Sequence, residues 1–259
     1  MGRAAAEGTG HETGRRMSRA ETRRVFAARS VDLRVSAGRW AFADAHGSEI
    51  DAHWVRRTRE TPQFFNGTVH ILRDYDISPD ERFSARFVRT DFKSFLYWRE
   101  QGFPDASVRD GFGSAILFSA DGKLLAGRQR GGNLNSGLAY PPGGFIDAKD
   151  IDADGVIDIE TSVLREISEE LGLAESHLAR RPGFIITMAG PVVSIGVPFA
   201  IRLGDGDLAA TVRRHIETDP NPELDDILFL DPGSPPRDLA MPDYARVLVE
   251  DLPLVKTLS

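Results

Sequence analysis

Three glutamates, Glu166, Glu169 and Glu170, fall within five residues in the stretch "LREISEELGL". Carboxylates this crowded can lie open to water as an acidic helix face, or sit partly buried and gather a cation. At 100° per residue the three occupy about a third of the helix circumference, while Leu164, Ile167 and Leu171 fall on another sector that faces a core. Two carboxylates about 5 Å apart repel by roughly 3 kcal/mol at an effective dielectric near 20. A buried cluster therefore requires neutralisation, and Mg2+ or Mn2+, which take oxygen ligands, suit the task. Spacing alone leaves both readings open.

The helix that must present these side chains has its own end signals. Asp158 suits the N-cap and Gly172 the left-handed turn that ends a helix. Upstream, "SAILFSADGKLLAGRQR" is two apolar runs joined by Asp121-Gly122, a hairpin signal. A Gly/Pro-dense loop follows and ends in "PPGGFID". Downstream, "GFIITMAGPVVSIGVPFAIRL" and "ELDDILFLD" read as strands, and "MPDYARVLVEDLP" as a helix with Pro242 near its start. Before residue 108, "VDLRVSAGRWAFA" alternates as a strand does. "SEIDAHWVRRTRE" reads as a helix capped by Ser48, and "FFNGTVHILRDYDI" as a hairpin-like region turning at Asn66-Gly67. "RTDFKSFLYWRE" reads as a second short helix. Strands on either side of central helices predict an α/β sandwich of mixed sheets.

"REISEELGL" matches R-E-apolar-x-E-E-x-G-apolar, the core of the Nudix box, residue for residue. "PPGGFID" resembles the glycine strand that opens the box, with Gly144 as its first glycine. The chain thus resembles the Nudix hydrolases over about residues 108–235. The resemblance implies a Nudix α/β/α sandwich with mixed β-sheets, joined here to a β-rich N-terminal segment. Residues 1–28 are expected to be a disordered basic leader, 29–107 an α+β segment that contributes to the substrate site, and 108–259 the hydrolase domain. By the family's pattern Glu166, Glu169 and Glu170 hold Mg2+ or Mn2+, the Gly144 carbonyl is a further ligand, and Arg165 orients a carboxylate. A base would come from the same helix or from Glu223, Asp225 or Asp226 in "PELDD". Arg128 and Arg130 are candidates for phosphate, and Phe65 for the substrate's base.

One departure stands out. The family pattern is G-x5-E-x7-R-E, whereas here Asp150 stands six residues past Gly144 and fourteen residues separate it from Arg165. The box carries an insertion, and Asp150, Asp158 or Glu160 could replace its first acid. The inserted "DIDADGVIDIET" also spaces its acids like a calcium loop over residues 150–161, though Thr161 stands where the bidentate glutamate belongs. A structural Ca2+ there is one reading, and a solvated acidic turn the other.

The formal net charge of -7 argues against a nucleic-acid backbone or an anionic membrane as partner. With no cysteine there are no disulfides or thiolate metal sites. No apolar run reaches membrane-span length and the start lacks a signal peptide's hydrophobic stretch, so a cytoplasmic protein is expected; the family resemblance implies a small-molecule nucleotide as its substrate. "HW", "FFNG" and "DFKSFLYWR" resemble the Nudix proteins that split UDP-glucose and UDP-galactose into UMP and a sugar 1-phosphate. Trp54, Phe64, Phe65, Phe92, Tyr97 and Trp98 are the aromatics that could stack a base, each with a core role as the alternative. ADP-ribose or another nucleoside diphosphate derivative is the alternative substrate, and a ligand-binding module without catalysis the alternative class.

Overall fold

The structure is a computed structural model that describes residues 23–132 and 134–255. Its first element, β1 (Arg23–Ala28), lies inside the stretch expected to be a disordered leader; residues 1–22 fall outside the described part. The sequence "RRVFAA" alternates weakly, and what makes it a strand is distant: it pairs antiparallel with residues 184–189. The charge of the leader hid a strand whose stabilisation comes from its partner.

A three-stranded sheet follows. It is built from β2 (Ser30–Val35), β3 (Thr68–Ile77) and β4 (Arg82–Asp91) in the order β2-β4-β3. Between β2 and β3 run α1 (Ala41–Ala45) and α2 (Gly47–Glu60), and α3 (Phe92–Glu100) leaves β4 directly. The expected strand thus stops at Val35, and its tail becomes α1. The N-cap of α2 is His46, not Ser48, and Asn66-Gly67 precedes β3 without turning a hairpin. The true hairpin turn lies between β3 and β4. Asp91 caps α3 by accepting from the Ser94 amide at 3.1 Å. Trp40, Phe95 and Trp98 pack together beneath these helices, and the Trp98 indole donates to the Asp105 carbonyl at 3.0 Å.

The main sheet contains β1 together with β5 (Asp110–Phe118), β6 (Leu124–Gln129), β7 (Ala139–Tyr140) and β8 (Gly143–Gly144). After α4 (Ile159–Leu171) come β9 (Leu178–Arg180), β10 (Phe184–Ala189), β11 (Val192–Ile201), α5 (Asp205–Thr218), β12 (Leu224–Leu230) and α6 (Asp243–Asp251). The backbone order is β1-β10-β11-β5-β6-β12, with β5 and β11 parallel. These two strands are buried on both faces, which is why they read as apolar runs and not as alternation. On one face Ile159, Val163, Ile167 and Leu171 of α4 join Leu208 and Val212 of α5 in the largest core cluster. On the other, Leu248 and Val249 of α6 cover Ile116, Leu124 and Ile185. The molecule is an α/β/α sandwich of mixed sheets, as expected. Among the described residues no helix is long and apolar enough to cross a membrane.

Two details place the site. The β5–β6 hairpin turns at Asp121-Gly122 and pairs only at Phe118 and Leu124. Beyond that pair the strands part, β8 fills in beside β5 and β7 beside β6. The inserted stretch also has a clear position. Its ends bridge at Ile151 and Ile157, Val156 bridges Arg34, and the Ile157 amide donates to the Leu33 carbonyl at 2.9 Å. The insertion makes an isolated antiparallel bridge to β2, the edge of the small sheet, and satisfies backbone groups that an open edge would leave to solvent or to another chain. Leu33, Phe83 and Phe87 of the small sheet share one core with Ile157, Ile159 and Val163, so the boundary drawn at residue 107 does not separate two cores.

Ile157 is buried in that shared core. Ile157→Ala is expected to lower unfolding free energy by about 2–5 kcal/mol, read from the urea midpoint at unchanged m-value.

Candidate active site

Helix α4 begins and ends where its sequence signals place it. Asp158 accepts from the Thr161 amide at 3.0 Å, and Gly172 closes the helix at φ 65°. The ring of His215 on α5 sits so close to Gly172 that a Cβ there would meet it at 2.6 Å, and its Nε2 donates to the Glu169 carbonyl at 2.7 Å. The carboxyl end of the helix is thus fixed from outside as well as by its own cap.

Arg165 organises the acidic face. Its Nη1 donates to Glu166 Oε1 at 2.6 Å and to Glu169 Oε2 at 3.1 Å, and its Nη2 donates to Asp150 Oδ2 at 3.1 Å. The same Asp150 oxygen accepts the Asp147 amide at 2.8 Å, and the Asp150 side chain is buried. Of the three candidates for the displaced first acid, Asp150 is the one that grips the arginine. Asp158 is committed to the helix cap, and Glu160 pairs with Arg180 at 2.8 Å on a more exposed surface. Burial disfavours charge on Arg165, but Glu166, Asp150 and Glu169 outweigh it and raise its pKa above the ordinary value.

Glu166 and Glu170 are harder to keep ionised. Burial, opposed by Arg165 and reinforced by Glu169, pushes Glu166 up to about 7. Burial also raises Glu170 well above the ordinary carboxylate range, against the Gly143 amide that donates to its Oε1 at 2.9 Å. Its other oxygen is sealed and has no hydrogen-bond partner among the described residues. Gly144 lets the Glu166 carboxylate rest against the backbone, since a Cβ there would meet Glu166 Cδ at 2.7 Å. Burial, then Glu169 and Asp219, raises Glu223 as well.

These groups close one end of a cavity of about 660 Å3, a volume suited to a small-molecule ligand. Arg165, Glu166, Glu169, Glu223, Gly143 and Gly144 line that end, with Glu170 behind them. Phe64, Phe65, Phe92, Phe103, Phe112, Phe145, Tyr140 and Tyr244 supply aromatic walls, and Asp110, Arg99, Asn135 and Gln129 are among the further polar groups. Phe65, 81% exposed, stands at the rim. Of the other proposed stacking residues, Phe64 and Phe92 reach the cavity, Trp54 backs Phe64, and Trp98 belongs to the core. Arg128 and Arg130 do not line the cavity. Gln129 between them faces it, so strand alternation turns Arg128 away, and Arg130 is paired with Asp225 at 2.8 Å. Asp226 is spent on the Ile227 amide, which leaves Glu223 as the residue of "PELDD" that enters. Arg99, Asp110 and Tyr244 were not among the sequence candidates; each is an ordinary residue of a helix or strand until the two sheets meet.

Among the described residues no group of three or more His, Cys, Asp or Glu is gathered as a metal cage. Arg165 lies between two of the box glutamates, and Glu170 faces the Gly143 backbone. The donor set nonetheless fits a divalent cation: hard carboxylate oxygens of one sign, partly buried, one of them without a partner among the described residues. The calcium-loop spacing of the insert is taken up otherwise. Asp150 holds Arg165, Asp152 accepts the Asp154 and Val156 amides, and Asp158 caps α4.

The sequence matches no protein-family model and no curated protein. Among solved structures it is similar to a Nudix hydrolase from M. smegmatis, RenU, at 16% identity and a TM-score of 0.38, over 56% of this chain and 84% of that one. It is similar also to a bifunctional NMN adenylyltransferase/ADP ribose pyrophosphatase from Francisella tularensis, complexed with AMP and a Mn ion. That match has 15% identity and a TM-score of 0.39, over 61% of this chain and 46% of that one. A third is the Nudix domain of Shewanella oneidensis NrtR complexed with ADP ribose, at 15% identity and a TM-score of 0.33, over 61% of this chain and 97% of that one.

Two predictions follow from the charges. Asp150→Ala removes a buried partner of Arg165 and is expected to cost about 3 kcal/mol or more, whereas Glu160→Ala on the exposed pair with Arg180 costs about 0–1 kcal/mol. Urea unfolding of both variants checks the contrast. Burial, opposed by Arg99, raises Asp110 from 3.8 to about 6. The folded state then binds more protons than the unfolded one between these values, so stability falls as pH rises through that window. Asp110→Asn is expected to raise the urea midpoint at pH 8 and to have little effect at pH 4.

Proposed function

We propose that the protein is a Nudix-type pyrophosphohydrolase. It splits the pyrophosphate bond of a nucleoside diphosphate linked to another group, with a nucleotide sugar such as UDP-glucose as the favoured substrate and UMP and a sugar 1-phosphate as products. The observation that carries the reading is the one-signed carboxylate cluster, with a buried Glu170 oxygen that has no partner among the described residues, at one end of an aromatic-walled cavity. The ligands bound to two of the similar structures, AMP with a Mn ion and ADP ribose, accord with a nucleotide in such a cavity.

Glu166, Glu169 and Glu170, with the Gly144 carbonyl, would hold Mg2+ or Mn2+. When bound, the cation supplies neutralisation of phosphate oxygens and a water that ionises near neutral pH. The chain does the rest. Asp150 fixes Arg165, and Arg165 holds Glu166 and Glu169 in one orientation. Glu223 lines the same end just before β12 and would take the proton of the attacking water. Phe64, Phe65 and Phe92 offer ring faces for the nucleotide base. ADP-ribose fits the same division into base, diphosphate and second sugar, and is the alternative substrate.

One observation favours a binding module instead. Arg165 neutralises Glu166 and Glu169 directly, so the acidic face is in part balanced without a metal. Phosphate release through a coupled phosphatase, from UDP-glucose, UDP-galactose, ADP-ribose, NADH and nucleoside triphosphates, decides between them. Turnover of one class is expected with Mg2+ or Mn2+, abolished by EDTA and reduced at least about 100-fold in Glu169→Gln/Glu170→Gln. Ligand binding without turnover on any member would favour the module.

A further inference from the structure

Asp110 is an expensive residue in this fold. It is 7% exposed, lines the cavity, and has no hydrogen bond or ion pair to its carboxylate among the described residues. Its position is fixed: its amide donates to the Pro191 carbonyl at 2.8 Å, and it stands opposite Val192 in the β5–β11 register. A buried carboxylate without a donor costs stability, and such a cost at a cavity wall points to a donor that arrives with a ligand.

The surroundings narrow the ligand's chemistry. Arg99 is the positive charge that acts on Asp110, and one of its nitrogens donates to Asn135 while the others remain available. Asn135 in turn donates to the Tyr140 hydroxyl at 3.1 Å. The Tyr244 hydroxyl has no hydrogen-bond partner among the described residues, and its ring meets Phe112 edge-on at 5.1 Å. This end of the cavity therefore offers a charged acceptor, two donors and aromatic faces. A cationic group would meet Arg99, and an anionic group would meet Asp110. A neutral group whose every polar atom both donates and accepts suits both, and sugar hydroxyls have that property, with ring C–H faces to lie on the aromatics.

Distance along the strand agrees. Gly113 pairs with Gly144, against which Glu166 rests, and Asp110 lies three residues earlier on β5. At about 3.3 Å per residue that is on the order of 10 Å from the acidic end, room for a sugar beyond a diphosphate. We propose that Asp110 binds hydroxyl groups of the sugar on the far side of the diphosphate from the nucleoside, and so sets specificity for a sugar-bearing ligand. The inference rests on the nucleoside diphosphate reading above and assigns one residue of that site a role.

The test is equilibrium dialysis in EDTA, where no metal-dependent turnover consumes the probe, with millimolar UDP-glucose, ADP-ribose, UDP and ADP. Asp110→Asn is expected to weaken binding of UDP-glucose, ADP-ribose or both by roughly 10- to 100-fold. Binding of the matching truncated nucleotide, UDP or ADP, should change less than about twofold, since a lost sugar contact cannot affect a ligand without that sugar. Asp110→Ser repeats the measurement with a smaller side chain should the first variant fold poorly. An equal loss for the sugar-bearing and truncated ligands, no loss for either, or wild-type protein that binds none of the four would overturn the assignment. Turnover assays on the same proteins separate the two readings. Binding that depends on Asp110 without hydrolysis would sink the hydrolase and leave this role standing, and hydrolysis indifferent to Asp110 would do the reverse.

Discussion

The Arg165 guanidinium is where the insertion, helix α4 and the cavity meet. It donates to Asp150 on one side and to Glu166 and Glu169 on the other, largely out of water. A pair taken out of solvent gains only when its geometry is good and its remaining hydrogen bonds are made. Here the geometry is set by backbone features: the Asp147 amide on Asp150, the Gly143 amide on Glu170, and the glycine at 144 that leaves space for a carboxylate. The arrangement holds several acids at close range with less cation than they require, and so keeps demand for positive charge at one end of the cavity.

The insertion is best understood from the sheet it touches. The small N-terminal sheet has β2 as an edge, and an open edge invites pairing with other chains. Residues 155–157 hydrogen-bond to that edge and carry Ile157 into the shared core. Asp150, at the start of the insertion, thereby becomes a fixed point for Arg165. One short loop covers an edge, joins the two sheets and positions the arginine's partner.

Much of the site was legible in the sequence because its signals are local. Asp158 and Gly172 mark the ends of α4, Asp121-Gly122 marks the β5–β6 turn, and the spacing of Glu166, Glu169 and Glu170 gives one acidic face. What stayed hidden depends on contacts distant in sequence. The choice among Asp150, Asp158 and Glu160 needed the insertion's path. The turning away of Arg128 needed the register of β6 against the cavity, and the isolation of Asp110 needed both sheets in place. Asn66-Gly67 misled because the dipeptide is a hairpin signal only between two paired strands, and here one side is a loop that feeds the cavity rim.

Strand β1 has a consequence for the order of events during synthesis. Arg23 pairs with Ala189 and Arg23 also meets Glu250, so the first described strand waits for partners made much later. Chains grow from the amino end, and contacts of such separation close slowly because loop entropy must be overcome first. Until residues 184–189 have left the ribosome, Val25 and Phe26 have no sheet to join. During that interval the arginines at 23 and 24 keep an otherwise apolar, unpaired strand in solution, which gives the charge beside it a use that the finished fold no longer reveals.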